Sequence, residues 1–197
     1  MGLSLISKPS FNPISLDEVK DRLRITNSQE DDQILSMITS ATQWAEHDLN
    51  WRICTQTWDY YLDGWPTEYS KGLNYIRMPY PPLQSVTHIK YYNESNVLTA
   101  LVEDTDYRID SVSYPARIEG ITSWPTYYDR FNPIVIRFIC GFSSTDLIPE
   151  DIKDAIYLRI ADLYEYRQDS LVGVQVTKNT ESAYSILMRY RLYNAVI

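Results

Sequence analysis

The chain has 197 residues, 44% hydrophobic and 22% charged, a balance that fits one globular domain or a compact core carrying a substantial insertion. Its 26 acidic and 18 basic residues give a formal charge of −8, which disfavours a nonspecific phosphate-binding surface. Two cysteines, Cys54 and Cys140, are too few for a disulfide scaffold, no secretory leader opens the chain, and no apolar run would span a bilayer.

A soluble product made in a reducing cytosol, with no membrane partner, is therefore expected. Asn93-Glu94-Ser95 matches a glycosylation acceptor, but without a secretory route the match has no consequence. The 5 Trp and 17 Tyr are more unusual than the charge, since aromatics with polar tips concentrate where proteins meet proteins.

Residues before Pro13 show no period, and Pro9 and Pro13 predict an irregular arm, ordered only in an assembly. Ser15-Leu16-Asp17-Glu18 is a capping-box pattern, and Leu16, Val19 and Leu23 keep helical spacing to about Arg24. A turn at Thr26 and Asn27 leads into the clearest long period of the chain, Ser28 to Trp51. There Ile34, Met37, Ile38, Ala41, Trp44 and Ala45 recur at three- and four-residue steps. Ser28 is the expected cap, and Glu30, Asp31 and Asp32 fall in the first turn, where carboxylates favour the positive end of the helix dipole. That acidic run reads as a helix start rather than a metal site.

After Trp51 the period becomes alternating. Strands are predicted over Thr57 to Leu62, Tyr75 to Met78, Val86 to Tyr92, Val97 to Val102, Tyr107 to Asp110, Arg117 to Glu119 and Ile134 to Phe142. Thr67 to Gly72 reads as loop, and Pro79, Pro81 and Pro82 stop the second strand. Together these form a small antiparallel sheet or open barrel inserted between helices.

Helical spacing returns at Pro149. Ile152, Ala155, Ile156, Ile160, Leu163 and Tyr164 make the stripe that the Ser28 helix needs, so Ile34, Ile38, Ala41 and Trp44 are expected to meet Ile152, Ile156, Ile160 and Leu163 in a helical core. Tyr157 and Leu158 widen the apolar arc and point to a second contact, with a neighbouring subunit as the candidate. The pattern weakens from Gln168 to Thr180, and a last helix is predicted from about Ser182 to Tyr193. The expected fold is α+β: a helical bundle (N-terminal helix hairpin, long C-terminal helix, terminal helix) with an inserted small antiparallel β domain. Its parts are 1–54, 55–145 and 146–197.

The chain carries no nucleophile elbow, Walker loop or dinucleotide fingerprint, and Gly141-Phe142-Ser143 lacks the second glycine of an elbow. His47 and His88 have no Cys or His at ligand spacing and read as solvated or structural. Asp104 and Asp106 open like a calcium loop, but the glycine and glutamate that should follow are missing, which leaves turn chemistry. No catalytic residue, cofactor or metal is expected.

The order of SLDEVKDRLRI, EDDQILSMITSATQWAEHDLNWRI, TQTWDYYLDGWP, IRMPYPPLQSVTHIKYY, DYRID, IPEDIKDAIYLRIADLYEYR and SILMRYRLY resembles the head-tail connector family of tailed bacteriophages, also called adaptor or head-completion proteins. The likeness covers most of Ser15 to Leu192, with departures at Thr67 to Asn74 and Thr180 to Ala183. It implies a structural virion protein at the head-tail interface, made in the host bacterial cytoplasm. Such subunits form a ring, typically a dodecamer, beneath the portal protein, extend the DNA channel and offer a platform to the tail, nozzle or stopper protein. Packaged DNA would pass through without sequence-specific binding. The resemblance also implies a C-terminal portal-docking arm, which here falls on Tyr184, Leu187, Arg189, Tyr190, Arg191 and Tyr193; Tyr and Arg are the residue types that dominate interface energetics. The alternatives are a tail-side structural or ligand-binding module and a carboxylate-based hydrolase.

Overall fold

The computed structural model describes residues 1–65, 75–165 and 179–191. The described chain is α+β, with four α-helices and two antiparallel sheets built around two hydrophobic clusters.

The first cluster is helical. Helix α1 (Leu16–Leu23) opens with the expected capping box: the Ser15 hydroxyl accepts from the Glu18 amide at 3.2 Å, and the Glu18 carboxylate accepts from the Ser15 amide at 2.8 Å. Helix α2 (Asp31–Leu49) begins three residues later than the sequence predicts, and Ser28 does not cap it. Its carbonyl instead closes a turn on the Asp31 amide, while Lys20 of α1 reaches the Asp31 carboxylate at 2.7 Å. That ion pair ties α1 to the first residue of α2. Along α2, Ile34, Ile38, Ala41, Ala45 and Leu49 are wholly buried, as are Ile152, Ala155, Ile156 and Ile160 of α3 (Glu150–Glu165). All of them belong to one cluster. Trp44 and Leu163 are only half-buried at its margin, with the Arg159 guanidinium 5.7 Å from the Trp44 ring.

The second cluster lies among the strands. One sheet has five: β1 (Gly2–Ser7), β2 (Gln56–Leu62), β8 (Ile134–Cys140), β4 (Leu83–Tyr92) and β5 (Leu98–Leu101), in that spatial order. The other has three: β3 (Tyr75–Arg77), β7 (Arg117–Gly120) and β6 (Tyr107–Asp110). Their inner faces share Tyr60, Ile89, Ile118, Ile136 and Phe138. The expected single sheet or open barrel is thus two sheets.

Residues 2–7 correct the expectation of an irregular arm. They form a strand antiparallel to β2, with Leu3 opposite Tyr60 and Leu5 opposite Trp58. The Met1 ammonium reaches Asp63 at 2.8 Å. A six-residue edge strand with one inward side chain offers too little alternation to be read as a period.

The two clusters meet at the end of α2. Glu46 is buried there and accepts from the Ile53 amide at 2.8 Å and from the Gln56 amide nitrogen at 2.9 Å. Cys54 and Phe142 form an isolated bridge beside it, and Gly141 (φ 92) carries the turn, where a Cβ would run into the Cys54 carbonyl.

Candidate functional site

Trp51, just past α2, joins four segments. Its ring stacks on Tyr114 at 5.7 Å, meets Phe142 at 6.4 Å, and receives Tyr190 edge-on at 6.3 Å. Aromatic pairs in these arrangements add to plain area burial, so the hub anchors the chain after β8 and after the last helix.

That last helix, α4 (Asn179–Leu187), starts earlier than Ser182 and ends before a turn at 188–190, which corrects the predicted extent to Tyr193. Ala183 and Leu187 are fully buried in the helical cluster, and Tyr190 is half-buried on Trp51 with its hydroxyl donating to Asp151 at 3.3 Å. Burial raises the Tyr190 pKa, with the Asp151 charge adding to the effect. Of the residues assigned to docking, Leu187 and Tyr190 therefore face inward. Tyr184 and Arg189 are exposed, and Arg191 donates to the Tyr184 hydroxyl at 3.4 Å. Tyr193 lies outside the described residues.

The Tyr157 and Leu158 patch is likewise partly closed within the chain itself. Both are half-buried against the helical cluster, and the Arg22 guanidinium sits 4.7 Å over the Tyr157 ring while pairing with Asp154 at 3.0 Å.

Several titratable groups make structural contacts. Among the described residues no three His, Cys, Asp or Glu side chains gather as a metal site would need. His47 is exposed; burial first, then Lys90 and Arg137, lower the His88 pKa. Asp106 accepts from the Val102 amide at 2.7 Å and Asp104 takes a left-handed φ of 61, so this pair closes a turn. Burial pushes the Cys54 thiol up to about 12 and raises that of Cys140 further. Asp59, nearly buried in β2, is held by Arg137 of β8 through two bonds of 2.7 and 2.8 Å. Hydrogen bonds from Ser113 first, then Arg117, hold the Asp110 carboxyl well below the usual range.

Sequence reasoning missed the end of the five-stranded sheet remote from the helices. There the turn after β4, the start of β5 and the loop before β8 expose Val97, Leu98, Tyr127, Tyr128 and Phe131, the last at 91%. The Tyr128 amide donates to the Tyr92 carbonyl at 2.9 Å, and Arg130 covers the Tyr92 ring at 3.9 Å. The aromatic run from Tyr127 to Phe131 was the available signal. A second missed feature is Arg52, held 3.5 Å over the Tyr80 ring and 4.9 Å from Trp58 at the joint between the clusters.

Fold and surfaces together define an α+β chain with several exposed aromatic side chains. Residues 13–101 match the model of a family described as phage gp6-like head-tail connector protein, and this segment bears out the resemblance to head-tail connectors. The fold is that of chains in three solved structures, each covering 100% of this chain and 98% of theirs. These are the neck of an empty gene transfer agent particle computed with C6 symmetry (20% identity, TM-score 0.78), the virion of the native particle (21%, 0.78) and the native neck computed with C12 symmetry (20%, 0.73). No curated protein matches the chain. No described helix is long and apolar enough to cross a membrane.

Proposed function

We propose that the protein is a structural subunit of a virion neck, a head-tail connector that forms a ring under the portal protein, extends the DNA channel and offers the tail side its platform. The observation that carries this reading is the family match over residues 13–101, on a fold shared along the whole chain with subunits of particle necks. The C6 and C12 symmetry of those neck structures supports a ring of this chain, with twelve copies as the reading. Net acidity suits a channel that DNA must leave again. The division at residues 54 and 145 is part of the same proposal.

Docking to the portal is assigned to the outward side of the C-terminal segment, Tyr184 and Arg189 with Arg191, while Leu187 and Tyr190 hold that segment to the subunit. Mixing the purified protein with its portal and imaging the product tests the reading. Closed rings seated on the portal are expected; a protein that stays monomeric by mass measurement with portal present would overturn it. Tyr184→Ala with Arg189→Glu should leave thermal unfolding unchanged and abolish portal binding. Full binding by that double variant would remove the docking assignment.

A further inference from the structure

We infer that neighbouring subunits join their five-stranded sheets edge to edge, with β1 of one copy pairing in parallel with β5 of the next. The inference rests on the ring reading above and adds its contact surface.

Both outer strands of this sheet are open: among the described residues β1 pairs only with β2, and β5 only with β4. Free edges in natural proteins are usually blunted by charge, proline or a bulge that turns the edge away. Gly2 to Ser7 and Leu98 to Leu101 contain neither charge nor proline, and the second edge ends at Val102, whose amide is taken by the Asp106 carboxylate. A register irregularity does interrupt β1, but only between Leu5 and Ser7. Leu3 and Leu101 pack on the sheet core, but Leu5 (41%), Ile6 (47%) and Leu98 (45%) are uncovered. Two such stretches are templates for another strand.

The register says which groups are available on β5. The Asn93 amide donates to the Val97 carbonyl, so the alternation of an antiparallel ladder turns Thr99 and Leu101 toward β4 and leaves the amides and carbonyls of Leu98 and Ala100 pointing outward.

The occupant that fits is a second copy, because the two edges lie on opposite sides of one sheet. A head-to-tail contact between unlike patches is what closes a ring. All four pairings in the sheet are antiparallel, so the first and fifth strands run in the same direction. Rotation about an axis along the strands preserves that direction, and the new pair is parallel. Gly2, Tyr61, Val135, Lys90 and Ala100 form one row across the sheet, which places Gly2 or Ser4 of one copy near Ala100 or Leu98 of the next, on the same face.

Cysteine pairs test this in full-length protein assembled on portal: Gly2→Cys with Ala100→Cys, Ser4→Cys with Ala100→Cys, and Ser4→Cys with Leu98→Cys. Within one subunit the two edges are four strand spacings apart, roughly 19 Å, beyond the roughly 7 Å between Cα atoms that a disulfide tolerates. Oxidation should give at least one pair a ladder of covalent multimers on a non-reducing gel. Ala100→Pro, which removes an outward amide only, should keep the subunit's melting temperature and raise the concentration for half-assembly about tenfold or more. Rings that form without a ladder from any pair would overturn the edge contact and leave the ring reading intact. Absence of rings from the unmodified protein overturns both.

Discussion

Glu46 and Gln56 share a hydrogen bond of 2.9 Å that ties the last turn of α2 to the first residue of β2, and the same carboxylate takes the Ile53 amide. One buried acid thus joins the helical cluster to the sheets. Burial raises its pKa above 4.5, only partly offset by the Ile53 amide, Arg52 and Gln56. Folding therefore favours its protonated form, and its contribution to stability falls as pH rises from the unfolded value through the folded one. Melting curves between pH 4 and 8 should show this loss in the parent protein and not in Glu46→Gln. Identical pH profiles would mean that the carboxylate titrates alike in both states. Glu46→Ala should cost about 1–3 kcal/mol, the penalty for leaving buried donors unsatisfied.

The helical core offers a graded comparison. Ile38→Ala and Ile156→Ala remove fully buried side chains and should each cost about 2–5 kcal/mol in denaturant unfolding. Trp44→Ala should cost less than the roughly 3–5 kcal/mol of a wholly buried aromatic, because its ring is half-exposed and capped by Arg159. A larger loss at Trp44 than at Ile38 would contradict the packing described.

Much of this core was legible in the sequence. Ile34, Ile38 and Ala41 repeat at helical spacing because one face of α2 is dry, and the stripe on α3 answers it. The strand from Tyr107 to Asp110 matched residue for residue, since turn residues bound it on both sides. What the pattern could not carry was partnership across distance. Nothing in Gly2 to Ser7 announces Tyr60 and Asp59 as neighbours, and nothing near Ser28 reveals that Lys20 has already engaged Asp31. The same limit governs the C-terminal segment: composition marks Tyr190 as an interface residue, whereas Trp51, far away in sequence, makes it an anchor.

Arg137 and Asp59 form a two-bond pair in which the carboxylate is nearly buried and the guanidinium about one-third exposed. Arg137→Met should cost about 2–4 kcal/mol, somewhat below the range for a wholly buried pair because solvent screens the arginine side. Adding Asp59→Leu should recover most of the loss. If the double variant is as unstable as the sum of the singles, the pair is not coupled.

Gly141→Ala should destabilise by about 2–4 kcal/mol, since φ is positive and the added carbon meets the Cys54 carbonyl, which lies in backbone and has little room to yield. Gly2→Ala, where nothing stands within 4 Å, is the matched control and should melt with the parent. Equal melting of the two variants would show that the joint between the clusters is loose.

Leu187→Ala separates the inner side of the last helix from the outer. Its side chain is wholly buried, so a loss of about 2–5 kcal/mol is expected, while Tyr184→Ala should unfold with the parent. For the same reason, removing everything after Glu181 would strip Ala183 and Leu187 from the core and read out folding instead of docking.

The burial of Cys54 and Cys140 has a practical consequence. With the Cys54 thiol pushed up to about 12 and that of Cys140 higher still, neither offers an accessible thiolate at neutral pH. A single surface cysteine can then be given a fluorophore or spin label against a silent background, with both native thiols left in place. Energy transfer between copies labelled in this way would report in solution whether the proposed ring closes.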